Sequence, residues 1–170
     1  MITPYFKYLD FLPKIPEELI ESYEDFTTKG FARINNHKLR QRMYPEYPVQ
    51  LYDVSDELMT WVNDLFMPYV NVRVSVHYLT VVQSNVSNKH RDVLRNTSFN
   101  YLINPGGNAI TRMFDDDDNV IDTCKIDERR WCQLSFVDKQ HDIQFLDYQS
   151  PRYSIVASAP KEFGHLDLFE

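Results

Sequence analysis

The sequence predicts a mainly β protein, an antiparallel sandwich or jelly roll with supporting helices packed on one of its sheets. Residues 71–160 contain at least seven short segments with strand-like composition, and turn-forming residues separate them. No helical pattern lies between these segments, which disfavours a parallel sheet because its crossover connections need helices. With 170 residues the chain is long enough for a full hydrophobic core, so we expect a single domain over residues 1–170.

Residues 1–70 are predicted to form a mostly helical support for the sheet. The stretch Pro16–Thr27 opens with proline and two glutamates, and its apolar residues recur at helical spacing, which predicts one helix that stops at Gly30. Ser55 is a good helix cap because acidic residues and an amphipathic stretch follow it. This second helix is predicted to end at Pro68.

The segment between the two helices predicts a short strand over Phe31–Ile34 and then a long surface loop over Asn35–Tyr52. We interpret the loop either as scaffold or as a lid over the mouth of the β core. A lid would suit an acidic or peptidic substrate because of its basic and aromatic residues, which are Arg40, Arg42, Tyr44 and Tyr47.

A period of two begins after the second helix and predicts a long strand over residues 72–82 with one buried face. Val76 and Tyr78 share that face, whereas His77 points the other way. The run Asp115–Asp118 is interpreted as a solvated turn because it lacks the glycine and glutamate of a calcium-binding loop. Further strands are predicted at Thr97–Ile103, Ala109–Phe114, Val120–Ile126, Trp131–Val137, Asp142–Leu146 and Arg152–Ala159.

Charge and composition limit the classes of partner. The net charge of -7 and the lack of a basic stripe among 18 lysines and arginines disfavour a nucleic-acid partner. Cys124 and Cys132 are the only two cysteines, which favours reduced thiols over a disulfide framework. No charged-then-apolar leader opens the sequence, and no apolar run approaches the roughly 18 residues that span a bilayer. We therefore expect a soluble cytoplasmic protein without a membrane partner.

Three side chains in the second half of the chain predict a metal site. His90 and Asp92 lie two residues apart on an extended segment, so the imidazole and the carboxylate project to the same side and can share one ion. A third ligand must come from elsewhere in the fold, and His141 at the start of a later strand is best placed. Two histidines and one carboxylate leave open coordination positions, an arrangement typical of non-haem Fe(II) centres.

Residues 72–159 resemble the catalytic core of the Fe(II)- and 2-oxoglutarate-dependent oxygenases, especially the prolyl-hydroxylase-like branch. The motifs that carry the resemblance are, in chain order, Tyr78, His90 with Asp92, Tyr101–Asn104, Gly106 with Gly107, His141 and Arg152. The resemblance implies a double-stranded β-helix core, Fe(II) on His90, Asp92 and His141, and 2-oxoglutarate and dioxygen as co-substrates of a hydroxylation. The sequence does not identify the substrate, and both peptidyl side chains and small molecules stay open.

Arg152 and Ser154 share one face of the last predicted strand, so a guanidinium and a hydroxyl can together hold the distal carboxylate of 2-oxoglutarate. Tyr78 is interpreted either as a further donor to that carboxylate or as a core tyrosine. Two rival interpretations stay open. One is a cupin-type metalloenzyme that does not use 2-oxoglutarate, and the other is a jelly-roll binding or structural module without catalysis.

Overall fold

The structure is a computed structural model that describes residues 5–30, 47–92, 97–135 and 139–159. Within these ranges the chain forms two antiparallel β-sheets, which confirms the predicted mainly β jelly-roll fold. The larger sheet has the strand order β1-β7-β4-β9-β3-β2 and the smaller sheet has the order β6-β5-β8. The strands are β1 (Phe6–Tyr8), β2 (Val49–Asp53), β3 (Ser75–Val81), β4 (Thr97–Asn104), β5 (Gly107–Phe114), β6 (Val120–Cys124), β7 (Trp131–Ser135), β8 (Gln140–Tyr148) and β9 (Arg152–Ser158).

From β3 onward the chain winds back and forth between the two sheets, as a double-stranded β-helix does. Strands β4, β7 and β9 return to the larger sheet, while β5, β6 and β8 lie in the smaller one. The corner from β4 to β5 contains Gly106 and Gly107, with φ values of 77° and 121°. A side chain on Gly107 would collide with the carbonyl oxygen of Asp147, so this close approach of two backbone segments requires glycine.

The central strands of the larger sheet have two buried faces, and helices cover one of them. On that face Phe26 stacks on Tyr78 with ring centroids 4.0 Å apart, and Phe66 stacks on Phe99 at 4.7 Å. All four rings are fully buried, and this aromatic layer fixes the helices against the sheet. The opposite face of the larger sheet points toward the smaller sheet and forms the wall of the cavity described below.

Helix α2 (Asp56–Val70) begins where the sequence predicts and ends two residues later than predicted. Ser55 caps it by accepting a hydrogen bond from the Leu58 N–H at 3.2 Å. The prediction that Pro68 ends the helix is wrong, because Pro68 lies in the last turn and the helix continues to Val70. Asn71 then caps it in the left-handed conformation with φ 52°. No helix of the described residues is long and apolar enough to cross a membrane.

The predicted helix Pro16–Thr27 is two separate pieces. A single 3-10 turn spans Glu17–Leu19, the chain then becomes extended at Ile20, and helix α1 covers Tyr23–Thr28. The break has a tertiary cause, since the Glu21 N–H donates to the Tyr78 hydroxyl at 2.8 Å instead of to a helical carbonyl. The helical propensity of this stretch competes with its contact with β3. The hydrogen bond from Glu21 to Tyr78 favours the extended conformation, so the helix is interrupted.

Strands β1 and β2 were not predicted, so the first 70 residues are more than a helical support. Both strands extend the larger sheet, β1 beside β7 and β2 beside β3. The predicted loop Asn35–Tyr52 is therefore wrong over its last four residues, which belong to β2. The predicted strand Phe31–Ile34 and most of the proposed lid, including Arg40, Arg42 and Tyr44, lie outside the described residues.

The strand predicted over 72–82 begins later than expected. The N–H of Val74 donates to Asn63 Oδ1 at 2.8 Å, and Asn63 Nδ2 donates to the Val74 carbonyl at 3.2 Å. The side chain of one asparagine on α2 thus replaces a neighbouring strand at Val74. Regular pairing with the sheet starts only at Ser75.

Candidate metal centre and the adjoining cavity

The backbone brings the three predicted metal ligands together at one end of the smaller sheet. His141 is the second residue of β8, and its backbone exchanges two hydrogen bonds of 3.0 Å with the backbone of His90. This isolated bridge adds the segment around His90 to the edge of the smaller sheet. Asp92 follows two residues later, so its carboxylate returns to the same side as the His90 imidazole.

The side-chain atoms of His90, Asp92 and His141 are arranged for a shared cation. Their ligand atoms all lie within 4.8 Å of one another. Asp92 Oδ1 lies 3.5 Å from His90 Nε2 and 3.9 Å from His141 Nε2, and the two imidazole centroids are 4.3 Å apart. Two nitrogens and one oxygen at these separations suit a divalent transition metal with open coordination positions.

The second nitrogen of each imidazole faces a backbone carbonyl oxygen. His90 Nδ1 lies 2.6 Å from the Asn88 oxygen, and His141 Nδ1 lies 3.3 Å from the Lys139 oxygen. Because a carbonyl oxygen only accepts hydrogen bonds, Nδ1 carries the proton in both neutral rings. The Nε2 lone pairs are then available to a metal, which is the tautomer that a histidine ligand needs.

Asn88 attaches the ligand-bearing segment to β8 through its side chain. Its Nδ2 donates to the Ile143 oxygen at 2.9 Å, and its Oδ1 accepts from the Ile143 N–H at 2.8 Å. The side-chain amide thereby pairs with the backbone as a neighbouring strand would, two residues beyond the bridge between His90 and His141. Asn88 has no role in the sequence interpretation, because nothing in the sequence shows which asparagine faces Ile143.

We expect Asn88→Ala to weaken metal binding by about 10- to 100-fold, because the partners that orient metal ligands have effects of this size. Titration of the purified protein with Mn(II) or Co(II) measures the change. Asn108→Ala is the matched control, since Asn108 is an exposed residue of β5 that accepts a hydrogen bond from Lys125. Equal metal affinity in the Asn88→Ala variant and the parent would contradict the positioning role.

The acidic turn between β5 and β6 holds the same segment from the outer side. Lys89 pairs with Asp118 and lies 3.7 Å above the Phe114 ring, and Arg91 Nη2 lies 2.9 Å from Asp116 Oδ1. The basic neighbours of His90 are therefore bound to the turn, while the imidazole faces the cavity. The interpretation of Asp115–Asp118 as only a solvated turn is incomplete, because two of its carboxylates bind the ligand segment.

A cavity of about 60 Å³ lies between the sheets and borders two of the three ligands. His90 and His141 line it together with Arg152 and Ser154 of β9. The register explains this placement, because Arg152 pairs with Val81 and Ser154 pairs with Leu79 on β3. Paired residues point to the same face, so the predicted common face of Arg152 and Ser154 is the cavity face.

Arg152 is a buried cation, only 6% exposed. No hydrogen bond or ion pair holds its side chain within the part of the chain that the structure describes. Burial lowers the pKa of Arg152 from 12.5 to about 10, and no carboxylate opposes this effect. Asp142, the carboxylate among the residues lining this cavity, already forms a bidentate pair with Arg112 at 2.9 and 2.6 Å. An anion that enters the cavity therefore meets an uncompensated guanidinium.

Ser154 is nearby but its hydroxyl is engaged. Its Oγ donates to Asn100 Oδ1 at 3.2 Å, and Asn100 Nδ2 donates to Ser98 Oγ at 3.1 Å. A serine hydroxyl has one proton, so Ser154 cannot donate to a ligand without breaking this arrangement. Its hydroxyl belongs to a chain of hydrogen bonds in the cavity wall that runs from Ser154 through Asn100 to Ser98.

The structure places Tyr78 away from this set. Tyr78 pairs with Ile155 on the helix-covered face of the sheet, and its hydroxyl accepts from the Glu21 N–H. Of the two interpretations of Tyr78, the core tyrosine agrees with this position and the donor to a ligand does not. His77 also stays outside the metal ligands, with its Nε2 4.0 Å from Asp53 Oδ1.

Comparison with known proteins does not assign a family. No protein-family model and no curated protein matches the sequence. Among solved structures, the chain is similar to the hydroxypropylphosphonic acid epoxidase from S. wedmorenis, with a TM-score of 0.42 and 8% sequence identity. The match covers 66% of this chain and 51% of that chain, so it spans about half of the epoxidase. At this level of similarity the match supports no conclusion about chemistry.

Proposed function

We propose that this protein is an Fe(II)- and 2-oxoglutarate-dependent oxygenase that hydroxylates a peptidyl side chain or a small molecule. One observation carries the proposal: a single cavity is lined by two histidines of a possible metal site and by a buried arginine with no carboxylate partner among the described residues. The metal site alone would equally suit an enzyme without a co-substrate. The guanidinium in the same cavity adds a requirement for an anion.

2-Oxoglutarate meets both requirements of the cavity. Its 2-oxoacid end chelates divalent metal ions, and its distal carboxylate matches the two-pronged donor geometry of a guanidinium. When bound, Fe(II) supplies the oxidising chemistry, using dioxygen and the electrons released as 2-oxoglutarate is converted to succinate and carbon dioxide. His90, Asp92 and His141 are the residues that would hold the metal, and Arg152 is the residue that would anchor the co-substrate.

The other walls of the cavity are lined by apolar side chains. Val81 and Leu134 are buried residues of the larger sheet, and Ile143 faces them from the smaller sheet. Apolar walls exclude water and lower the local dielectric constant, which strengthens the attraction between Arg152 and an anion. The same walls separate reactive species from bulk solvent.

Anaerobic addition of Fe(II) and then 2-oxoglutarate tests the proposal. We expect a weak visible charge-transfer band when 2-oxoglutarate joins the metal, and succinate formation after air is admitted. Metal binding without the band would favour a cupin-type metalloenzyme that does not use 2-oxoglutarate. Failure to bind Fe(II), Mn(II) or Co(II) at all would favour a binding or structural module.

A further inference from the structure

Basic residues alternate with metal ligands in residues 88–92, which we call the ligand segment. The side chains of His90 and Asp92 turn inward to the cation site. Those of Lys89 and Arg91 turn outward to the loop between β5 and β6. The period of two of an extended chain produces this division. Contacts made on the outer side can therefore act on the ligands without touching the metal.

The loop between β5 and β6 is a tight turn of fixed shape over residues 115–119, which we call the acidic turn. Asp115 Oδ1 accepts hydrogen bonds from the N–H groups of Asp117 and Asn119, at 3.0 and 2.8 Å. The Asp115 N–H donates in turn to the Asn119 carbonyl oxygen at 3.0 Å. Asp118 takes the left-handed conformation with φ 73°. Because its first carboxylate binds the backbone, the turn holds its other side chains in fixed directions.

The acidic turn and the ligand segment form two ion pairs in opposite order along the chain. Asp118 pairs with Lys89, and Asp116 Oδ1 lies 2.9 Å from Arg91 Nη2. Alternate residues of the turn thus meet alternate residues of the segment, with one pair on each side of His90 in the sequence. Two pairs in this register fix the direction of the segment, which one pair could not do.

The ligand segment joins β8 through an isolated bridge and not through a continuous ladder. His90 exchanges two backbone hydrogen bonds with His141, and the Asn88 side chain pairs with Ile143. His141 also pairs with Met113 of β5, so it keeps its place if the ligand segment moves. Separation of the segment from β8 would take away two of the three ligands at once. This local opening is the smallest movement that would release a metal.

We propose that Asp116 and Asp118 are positioning residues of the metal centre, which hold the ligand segment against β8 and so retain the metal. The inference rests on the metal part of the proposed function and does not involve 2-oxoglutarate. Both carboxylates are exposed, at 77% and 69%. Dissolved salt screens ion pairs of exposed groups, so metal retention depends on ionic strength through these two pairs.

The test measures Co(II) affinity and the rate of Co(II) release to excess chelator, both from the visible spectrum of the bound ion. An exposed ion pair contributes a factor of up to about five. We therefore expect the double variant Asp116→Asn with Asp118→Asn to bind Co(II) about 5- to 25-fold more weakly at low salt, and to release it faster. The affinity of the parent should fall toward that of the double variant in about 0.5 M sodium chloride.

Asp117→Asn is the matched control, because Asp117 lies between the two paired aspartates and its side chain forms no ion pair within the described residues. It removes the same charge from the same turn as either single variant, Asp116→Asn or Asp118→Asn. It therefore measures the general attraction of the turn for a cation. Exchange of one pair, Arg91→Asp with Asp116→Arg, should recover affinity that Arg91→Asp alone removes.

The outcomes separate this inference from the proposed function. Equal Co(II) affinities and release rates in the single variants and in Asp117→Asn would overturn the inference and leave the metal site intact. No recovery in the exchanged pair would also contradict it. If the parent binds neither Co(II) nor Mn(II), the inference and the proposed function fail together. If the parent binds Co(II) but not 2-oxoglutarate, only the proposed function fails, and the variants still decide the inference.

Discussion

Replacement of His141 by alanine is expected to remove metal binding, and with it any turnover of 2-oxoglutarate. His141 supplies one of three ligand atoms, and two remaining ligands cannot close a facial site. We expect metal affinity to fall by more than about 100-fold, beyond the effect of losing a residue that only orients a ligand. The fold should persist, because the two hydrogen bonds that join residues 90 and 141 are between backbone atoms.

Metal content after reconstitution, together with the visible spectrum of the Co(II) form, measures this loss. His77→Ala is the matched control, because His77 is a part-buried histidine of β3 that lies beside Asp53 rather than among the three ligands. Parental metal affinity in the His141→Ala variant would disprove the site. Equal losses in both variants would point instead to a general effect of removing a histidine.

Arg152→Met is expected to have opposite effects on ligand binding and on stability. The variant loses the guanidinium that meets the distal carboxylate, so 2-oxoglutarate binding should fall by more than about 100-fold. The ligand-free protein should become more stable, because the change removes a buried cation without a carboxylate partner among the described residues. This combination distinguishes a binding residue from a structural one.

The sign of the stability effect follows from the pKa of Arg152. Burial lowers this pKa from 12.5 to about 10, so the folded protein is penalised for keeping the side chain protonated at every pH below 10. The penalty is relieved only as the pH rises through 10 toward 12.5. At pH 7 this lowering of the pKa corresponds to a loss of about 3 kcal/mol in the free energy of unfolding. We expect Arg152→Met to recover about 1–3 kcal/mol of this in the free energy of unfolding.

Urea unfolding of the parent and the variant, with and without Mn(II) and 2-oxoglutarate, measures both effects. Arg130→Met is a suitable control, since Arg130 is a surface arginine already paired with Asp10 and Asp127. Exposed pairs of this kind contribute about 1 kcal/mol or less. A ligand-free Arg152→Met protein that is less stable than the parent, yet still binds 2-oxoglutarate, would show that Arg152 serves the fold.

The parts of the fold that sequence reasoning predicted are those with local signals. Alternation identified β3, and strand-like composition between turn residues identified β4 and β9. Residue type, spacing and the resemblance to the 2-oxoglutarate-dependent oxygenases brought His90, Asp92 and His141 into one hypothesis. The short strand β1 was missed because three residues carry almost no pattern, and only pairing with β7 makes them a strand.

Other features depend on contacts between residues far apart in the chain. The division of the helix predicted over Pro16–Thr27 follows from the hydrogen bond between Glu21 and Tyr78, which are 57 residues apart. The alternation of β3 showed that Tyr78 and His77 occupy opposite faces, but both faces are covered, so the pattern could not tell which one borders the cavity. Asn88 has no local signal at all, because its role comes from its contact with Ile143 of β8.

The alternating register of β3 and β9 makes the larger sheet a partition between two compartments. On one side Tyr78 and Ile155 belong to the apolar layer under the helices, and on the other Leu79 and Ser154 border the cavity. We therefore expect substitutions at Leu79 and Ser154 to change the cavity without altering the packing of Tyr78 and Ile155 beneath the helices. Alternate residues along these two strands can therefore be exchanged on the cavity side, while the intervening residues keep the packing beneath the helices.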